Sequence, residues 1–349
     1  MLAYLGGRYY NYSKSKKPCQ GFLFKIALFC DSFKDMSSNF VKIAWFGLHF
    51  GEEPPLVGDK PARNASPAKH ADASHTGWHS DAGGGAGTIF FTGCNLACVF
   101  CQNWQISQKN VGKEYSVKEL TEIMLKLRKD GALNIDLVSP TIWAKQIKEA
   151  IIEAKKRGLT IPVVWNSNGY EKVEILKEME GLVDIYLPDF KYGDDDLAFK
   201  YSGVKNYVSV AQNAIREMLR QVGNLKINDS PVGLCPREQG IAKKGIIIRH
   251  MILPNNIENS FKVLKYISEI DPNGASKNIF VHLMSQYEPV YKAKDFPEVN
   301  RNINKKELEK VFDYLTQLGF GNGWVQDLES HAVFLPDFTK ENPFRDKTS

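Results

Sequence analysis

The sequence has no apolar run long enough to cross a membrane. Even the stretch from 21 to 30 is interrupted by Lys25, and a spanning helix needs about 20 apolar residues. The chain has only six cysteines in 349 residues, and their uneven spacing excludes the disulfide framework of a small secreted protein. Excess charge is also small, since 45 basic and 40 acidic residues give a net charge of +5 without any long basic run. We therefore expect a cytoplasmic protein that binds neither nucleic acid nor membranes.

Three of the six cysteines lie within eight residues of one another. Cys94, Cys98 and Cys101 form a Cys-x3-Cys-x2-Cys motif directly after the apolar run from Thr88 to Phe91. This spacing lets one short loop present three thiolates to a metal centre, and a cubane 4Fe-4S cluster bound in this way keeps one iron open. The alternative is a zinc-binding interaction module, which would need a fourth ligand such as His79 or Cys235.

Apolar segments of strand length alternate with amphipathic segments of helix length from residue 87 onward. Six strands are predicted near residues 88, 133, 161, 183, 246 and 279, and 323–329 could add another. Ser116 with Glu119, and Asn304 with Glu307, mark the starts of two of the intervening helices. Such alternation requires parallel strands with helical crossovers, which form either a barrel or a doubly wound sheet.

Composition divides the chain into three parts. Residues 1–57 form an N-terminal extension with a first β segment at Val41–Phe46, and 58–86 is a low-complexity insertion rich in Ala, Gly and His. Residues 87–340 carry the α/β core and a C-terminal extension. His70, His75 and His79 fall in the insertion, where a solvated loop is a better explanation than a metal site.

Polar residues follow the predicted strands where a parallel architecture places its active face. Because crossovers bring the carboxyl ends of all strands to one side, we expect these residues to lie near one another. They are Ser139, Thr141, Asn166, Ser167, Asn168, Asp189, Lys191, Arg249, His250, His282, Ser285 and Gln286.

The cysteine motif, with Phe100 directly before the third cysteine, resembles the signature of the radical S-adenosylmethionine (SAM) superfamily. The segments TIFFTGCN, VVWNSNGY, VDIYLPDFKYGD, IIIRHMILP and GWVQD are similar to pyruvate formate-lyase activating enzyme-like iron-sulfur proteins. The resemblance covers about residues 41 to 336 and implies a partial (β/α)6 barrel. It also implies a 4Fe-4S cluster on the three cysteines and SAM on the open iron.

The resemblance further implies that reductive cleavage of SAM yields a 5'-deoxyadenosyl radical that abstracts hydrogen from a substrate. A flavodoxin or ferredoxin is then the expected reductant, and a glycyl radical enzyme is a candidate partner. Phe100 is expected near the adenine of SAM. As further cofactor-binding residues we predict Ser139, Asn166, Asn168, Asp189 and Arg249.

One expected segment is missing from the sequence. Most members of the superfamily carry a Gly-Gly-Glu segment after the second strand, whereas Leu137–Thr141 here reads LVSPT. Ser139 or Thr141 is the expected replacement, and a barrel that has lost its activity remains a third hypothesis. We expect no second cluster, and Cys19, Cys30 and Cys235 are predicted to bind no iron.

Overall fold

The computed structural model describes residues 39–58, 84–228, 240–270, 275–326, 328 and 335–344. The three histidines of the insertion and the cysteines at 19, 30 and 235 lie outside these residues, so predictions about them stay predictions. Phe40–Ser349 forms one compact unit. No helix in the described ranges is both long and apolar enough to cross a bilayer.

Strands and helices alternate along the chain as the apolar periodicity predicts. The strands are β1 Phe40–His49, β2 Ala86–Phe91, β3 Lys113–Ser116, β4 Ile135–Val138, β5 Val163–Ser167, β6 Ile185–Pro188, β7 Lys226–Asn228, β8 Ile241–Met251, β9 Phe280–Met284 and β10 Gly323–Val325. The helices are α1 Pro54–Val57, α2 Trp104–Ser107, α3 Val117–Lys129, α4 Ala144–Lys156, α5 Val173–Glu178, α6 Asp195–Ser202, α7 Tyr207–Val222, α8 Ile257–Ser268 and α9 Lys305–Gln317.

The predicted helix starts are confirmed at the level of hydrogen bonds. Ser116 and Glu119 form a reciprocal capping box at the start of α3, and Asn304 and Glu307 form a second one at α9. The carboxylate of Asp194 accepts from two backbone N–H groups at the start of α6, so the acidic run there caps a helix.

The six predicted strands form the centre of one sheet in the order β2-β4-β5-β6-β8-β9, with all neighbours parallel. β10 adds a further parallel strand beside β9, as predicted for 323–329. β1 and β3 extend the other end of the sheet in antiparallel pairing, and β7 pairs antiparallel with β8. The architecture is a partial (β/α)6 barrel, as the family resemblance implies, and not the doubly wound sheet that the alternation of elements also allowed.

Side chains alternate between the helix-facing side of the sheet and the inside of the barrel. Leu137 and Trp165 are packed with the helices in the main core, because successive strand residues point to opposite faces. Val164, Ile185 and Ile247 belong to a separate inner cluster. The interior of the partial barrel is therefore lined by side chains that are separate from the main core, and this lining also carries polar residues.

Residues 50–57 close the lower end of the barrel interior, and we call them the floor segment. The sequence suggests a turn and loop here, whereas the structure has α1 at Pro54–Val57. Leu56 is fully buried against the inner cluster, and its carbonyl accepts a 2.7 Å hydrogen bond from Asn134 Nδ2. Chain that precedes the predicted core thus contributes to the barrel.

Candidate active site

The cysteine loop leaves the carboxyl end of β2 and is fixed to the barrel by backbone hydrogen bonds. Gly93 has a φ of +90°, which a residue with a Cβ rarely adopts, and its N–H donates to the carbonyl of Ile106. The N–H groups of Ala97 and Val99 donate to the carbonyls at the end of α6. The loop is therefore held at both ends before any ligand binds.

Each cysteine sulfur has a polar neighbour within hydrogen-bonding distance. Asn168 Nδ2 donates to Cys94 Sγ at 3.3 Å, and Ser202 Oγ donates to Cys98 Sγ at 2.9 Å. Ser107 Oγ lies 3.2 Å from Cys101 Sγ. Hydrogen bonds of this kind stabilise thiolates and tune the reduction potential of bound iron-sulfur clusters.

Burial and mutual repulsion disfavour the ionised forms of the three thiols. Burial is the largest cause and raises the pKa of Cys94 to about 11 and that of Cys101 to about 12, with Cys98 adding repulsion in both cases. Burial also raises the pKa of Cys98, although the charge of Lys191 opposes it. In the described ranges, no group of three His, Cys, Asp or Glu side chains is arranged to hold a single metal ion.

Three of the predicted cofactor-binding residues meet in one network beside the cysteines. Arg249 Nε donates to Asp189 Oδ1 at 2.7 Å and Arg249 Nη2 donates to Asn166 Oδ1 at 2.5 Å, while Lys191 Nζ is 2.6 Å from Asp189 Oδ2. Burial alone would raise the pKa of Asp189, but Arg249 and Lys191 outweigh it and lower that pKa. The site thus presents an ionised carboxylate between two cations.

The other predicted residues are placed differently. Phe100 is buried in the wall of the same cleft, with its ring centroid 5.4 Å from that of Tyr287. Asn168 bonds Cys94 and, at 2.6 Å, Asn95 Oδ1, so its amide nitrogen supports the cysteine loop. Their proposed contacts with SAM stay predictions.

The segment that stands in place of Gly-Gly-Glu has a strained backbone. Ser139 has a φ of +59°, a left-handed conformation that costs about 1–2 kcal/mol for a residue with a Cβ. Thr141 Oγ1 donates to buried Glu171 at 2.9 Å, and Trp165 Nε1 donates to the same oxygen at 3.0 Å. Of the two candidate replacements, Thr141 is therefore already used by the fold, and Ser139 is the better candidate.

Of the remaining polar residues at the strand ends, some make hydrogen bonds within the fold and others line the cleft. His250 faces the helices, where its ring nitrogens contact Phe190 O and Ser260 Oγ, and Ser167 Oγ accepts from Gly169 N. His282 and Gln286 line the cleft. Ser285 Oγ donates to the carbonyl of Gln326.

Sequence reasoning missed three acidic residues inside the barrel. Glu52 and Glu53, from the floor segment, line the cleft, with Glu53 Oε1 2.7 Å from His282 Nδ1 and Glu52 Oε2 3.3 Å from Arg249 Nη1. Asp136 points inward from β4 and accepts from Asn166. A carboxylate inside the apolar strand segment IDLV was a usable signal, since buried strands rarely carry one without a partner.

Comparison with protein-family models matches residues 88–234 to the radical SAM superfamily. This part of the chain, which contains the cysteine loop, is thus similar to that superfamily. An uncharacterised protein of Methanocaldococcus jannaschii is 36% identical over 237 residues, which cover 65% of this chain and 60% of that protein. The pyruvate formate-lyase-activating enzyme of Clostridium pasteurianum is 25% identical over 244 residues, 66% of this chain and 90% of that enzyme.

Solved structures of lower similarity were also found. Streptococcus suis SuiB bound to S-adenosylmethionine has a TM-score of 0.45 and 14% sequence identity, covering 69% of this chain and 50% of SuiB. Spore photoproduct lyase with a dinucleoside spore photoproduct has a TM-score of 0.45 and 10% identity, covering 68% of this chain and 74% of that one. The match thus spans only part of several relatives.

Radical SAM enzymes typically use a 4Fe-4S cluster and SAM, so the site can be compared with what both groups require. The residues present fit both groups. Three sulfurs with polar neighbours on one anchored loop suit a cluster that binds through three cysteines. The adjoining cleft offers Asp189, Lys191 and Arg249, whose charges complement the amino and carboxylate groups of SAM.

Proposed function

We propose that this chain reductively cleaves SAM at a 4Fe-4S cluster held by Cys94, Cys98 and Cys101. The observation that supports this most is the placement of the cysteine loop. It follows the first strand of a parallel partial barrel and opens onto a cleft that Phe100, Asn166, Asp189 and Arg249 also line. The zinc-module alternative has no comparable use for those residues.

When bound, the reduced cluster supplies one electron that breaks a C–S bond of SAM and releases a 5'-deoxyadenosyl radical. The protein's own residues bind SAM, orient it and exclude water from the site. We assign Asp189 and Lys191, which lie 2.6 Å apart, to the amino acid end of SAM, and the buried Phe100 to an apolar wall for the adenosyl end. The buried surroundings of the cysteines protect the radical from solvent.

The electron donor and the substrate extend this proposal. A flavodoxin or ferredoxin is the proposed reductant, because the reaction consumes one low-potential electron. The similarity to an enzyme named for activating pyruvate formate-lyase supports a glycyl radical enzyme as one candidate protein substrate. The clustered thiols suit a reducing compartment, so we retain the cytoplasmic localisation as a proposal.

Single cysteine substitutions test the proposed ligand set. Cys94→Ala, Cys98→Ala and Cys101→Ala should each prevent cluster assembly and abolish SAM cleavage under dithionite, because each removes one of three thiolates. Cys19→Ala, Cys30→Ala and Cys235→Ala should retain the wild-type iron content of about four per chain. Iron and sulfide analysis after anaerobic reconstitution measures the first effect, and chromatographic detection of 5'-deoxyadenosine measures the second.

Full cluster content in any one of the first three variants contradicts the three-thiolate model. One stoichiometric zinc without iron would support the interaction module instead. A cluster without SAM cleavage would support an inactive barrel. Incubating the reduced enzyme with SAM and candidate glycyl radical enzymes, then recording the glycyl radical by electron paramagnetic resonance, tests the candidate protein substrate.

A further inference from the structure

Two groups of side chains with different chemistry line the same cleft. Cys98, Phe100 and Cys101 form one group, and Glu52 and Glu53 of the floor segment belong to the other. His282 from β9 and Arg249 from β8 bind these two carboxylates. The carboxylates of the floor segment therefore share a cleft with the cysteines.

Two deeply buried carboxylates, Glu53 in the lining of the cleft and Asp136 on β4, each have an oxygen without a hydrogen-bond partner among the residues that the structure describes. Glu53 is only 2% exposed, and its Oε2 is unpaired although Oε1 is bound to His282. Asp136 is 0% exposed, and its Oδ1 is likewise unpaired. A buried acceptor without a donor destabilises the folded protein, and more so if it is charged, so such an oxygen is suited to receive a ligand's N–H.

The nearby cations are already used by other acceptors. Arg249 distributes its donors among Asp189, Asn166 and Glu52. Lys191 is bound to Asp189. Within the described residues of this network, Glu52, Glu53 and Asp189 face Arg249, Lys191 and the ring of His282, yet none of these donors reaches Glu53 Oε2.

The two buried carboxyls differ in acidity. Burial is the largest cause that raises the pKa of Asp136 well above its ordinary value, followed by repulsion from Glu52, while Arg249 opposes the shift. Burial would also raise the pKa of Glu53, but the hydrogen bond and charge of His282 outweigh it and lower that pKa. Glu53 is therefore the more acidic of the two and is the carboxylate that can supply negative charge to a ligand.

We propose that the floor of the cleft, formed by Glu52 and Glu53, is a subsite for an alkylammonium or guanidinium group of the substrate. This inference rests on the proposed function, since it assumes that the cleft holds a substrate beside SAM. A group anchored at the floor directs the rest of its molecule toward the cysteine loop, where hydrogen abstraction would occur. The subsite thus selects a substrate by a cationic end that is separate from the reacting carbon.

A ligand series of constant length tests the subsite. Butylguanidinium, butylammonium, 1-butanol and butyrate are titrated calorimetrically into the reconstituted, SAM-loaded enzyme. We expect the two cations to bind at least about tenfold more tightly than the alcohol, because hydrogen bonds to a charged group are stronger than neutral ones. Butyrate should bind most weakly.

Glu53→Gln should reduce cation affinity about tenfold, because it removes the charge while keeping the side-chain shape. Glu149→Gln, on the exposed face of α4, is the matched control and should leave affinity unchanged. Since Glu53→Gln also alters the contact with His282, its iron content and thermal midpoint are measured alongside. If Glu53→Gln does not fold, Glu52→Gln is measured in its place. The comparison of the four ligands on the wild-type enzyme needs no variant.

The outcomes separate this inference from the proposed function. Equal affinity for the cations and the alcohol overturns the subsite even when wild-type enzyme cleaves SAM under dithionite. Displacement of the cations by an equal concentration of Mg²⁺ also overturns it, because the floor would then be a metal site. Absence of SAM cleavage by the wild type refutes the proposed function, whatever the ranking of the cations.

Discussion

A single hydroxyl connects the α6 helix to the most buried cysteine. Ser202 Oγ donates to Cys98 Sγ at 2.9 Å, and the hydroxyl of Tyr192 lies 2.6 Å from the same Oγ. All three side chains are buried, so solvent cannot replace these contacts. Because a reduced cluster carries more negative charge, a donor to a ligand sulfur stabilises the reduced state more than the oxidised one. Ser202 is therefore a positioning residue that should raise the cluster potential.

Ser202→Ala should shift the midpoint potential of the cluster to more negative values, on the order of tens of millivolts. The expected size is a fraction of a charge-assisted hydrogen bond, and for one electron a tenfold change in equilibrium corresponds to about 59 mV. Potentiometric titration followed by electron paramagnetic resonance measures the shift. Ser209→Ala, on the exposed face of α7, is the control. An unchanged potential in the Ser202 variant, with normal iron content, would show that this hydrogen bond does not tune the cluster.

One face of the β8 strand contributes to the site, and the opposite face makes buried hydrogen bonds to neighbouring elements. Arg249 points into the barrel, whereas the next residue, His250, is 0% exposed and bridges Phe190 O at 2.7 Å and Ser260 Oγ at 2.8 Å. Ser260 belongs to α8, so the imidazole joins that helix to the strand and to the chain after β6. Burial is the main cause that lowers the pKa of His250 to about 4. These two hydrogen bonds therefore depend on a neutral imidazole ring.

We expect the hydrogen bonds of His250 to contribute less to the free energy of unfolding as the pH falls. Because the folded pKa lies below the ordinary value of 6.5, the unfolded state binds more protons between these two values. The stabilisation is complete above pH 6.5 and is lost toward pH 4, by up to about 3 kcal/mol. The groups that face His250 electrostatically are Lys191, which lowers its pKa further, and Asp189, which raises it.

Chemical unfolding of wild type and His250→Gln at several pH values between 4 and 7.5 tests this dependence. The difference between the two proteins isolates the histidine, because carboxylates such as Asp136 titrate in both. The wild type should lose its advantage over the variant as the pH falls. A difference that does not change with pH would mean that His250 has the same pKa in the folded and unfolded states, which would contradict a ring held neutral by burial.

At the scale of the whole molecule, local patterns predicted the repeating part of the fold. Apolar periodicity and the serine and asparagine caps are short-range signals, so the six parallel strands and the starts of α3 and α9 could be read from neighbouring residues. The cysteine loop was placed after β2 for the same reason. The grouping of Asn166, Asp189 and Arg249 followed from the rule that parallel strands end on one side.

Contacts between distant parts of the chain could not be predicted in this way. Glu53 and His282 are 229 residues apart, and Cys98 and Ser202 are 104 apart. No periodicity links such pairs, because their meeting depends on how the elements pack. The floor segment was therefore assigned to an extension, although it closes the barrel and supplies two of its carboxylates.

This assignment leads to a prediction for the whole fold. The family model begins at residue 88, yet Leu56 is 0% exposed and packs with Val164, Ile185 and Ile247 inside the barrel. Leu56→Ala should lower the free energy of unfolding by about 2–5 kcal/mol, because it leaves a cavity among three strands. Val325→Ala removes similar atoms at a position that is 39% exposed, and it should cost less than about 1 kcal/mol. Denaturant unfolding of both variants measures the difference, and equal losses would mean that residues 50–57 merely lie against a barrel that is stable without them.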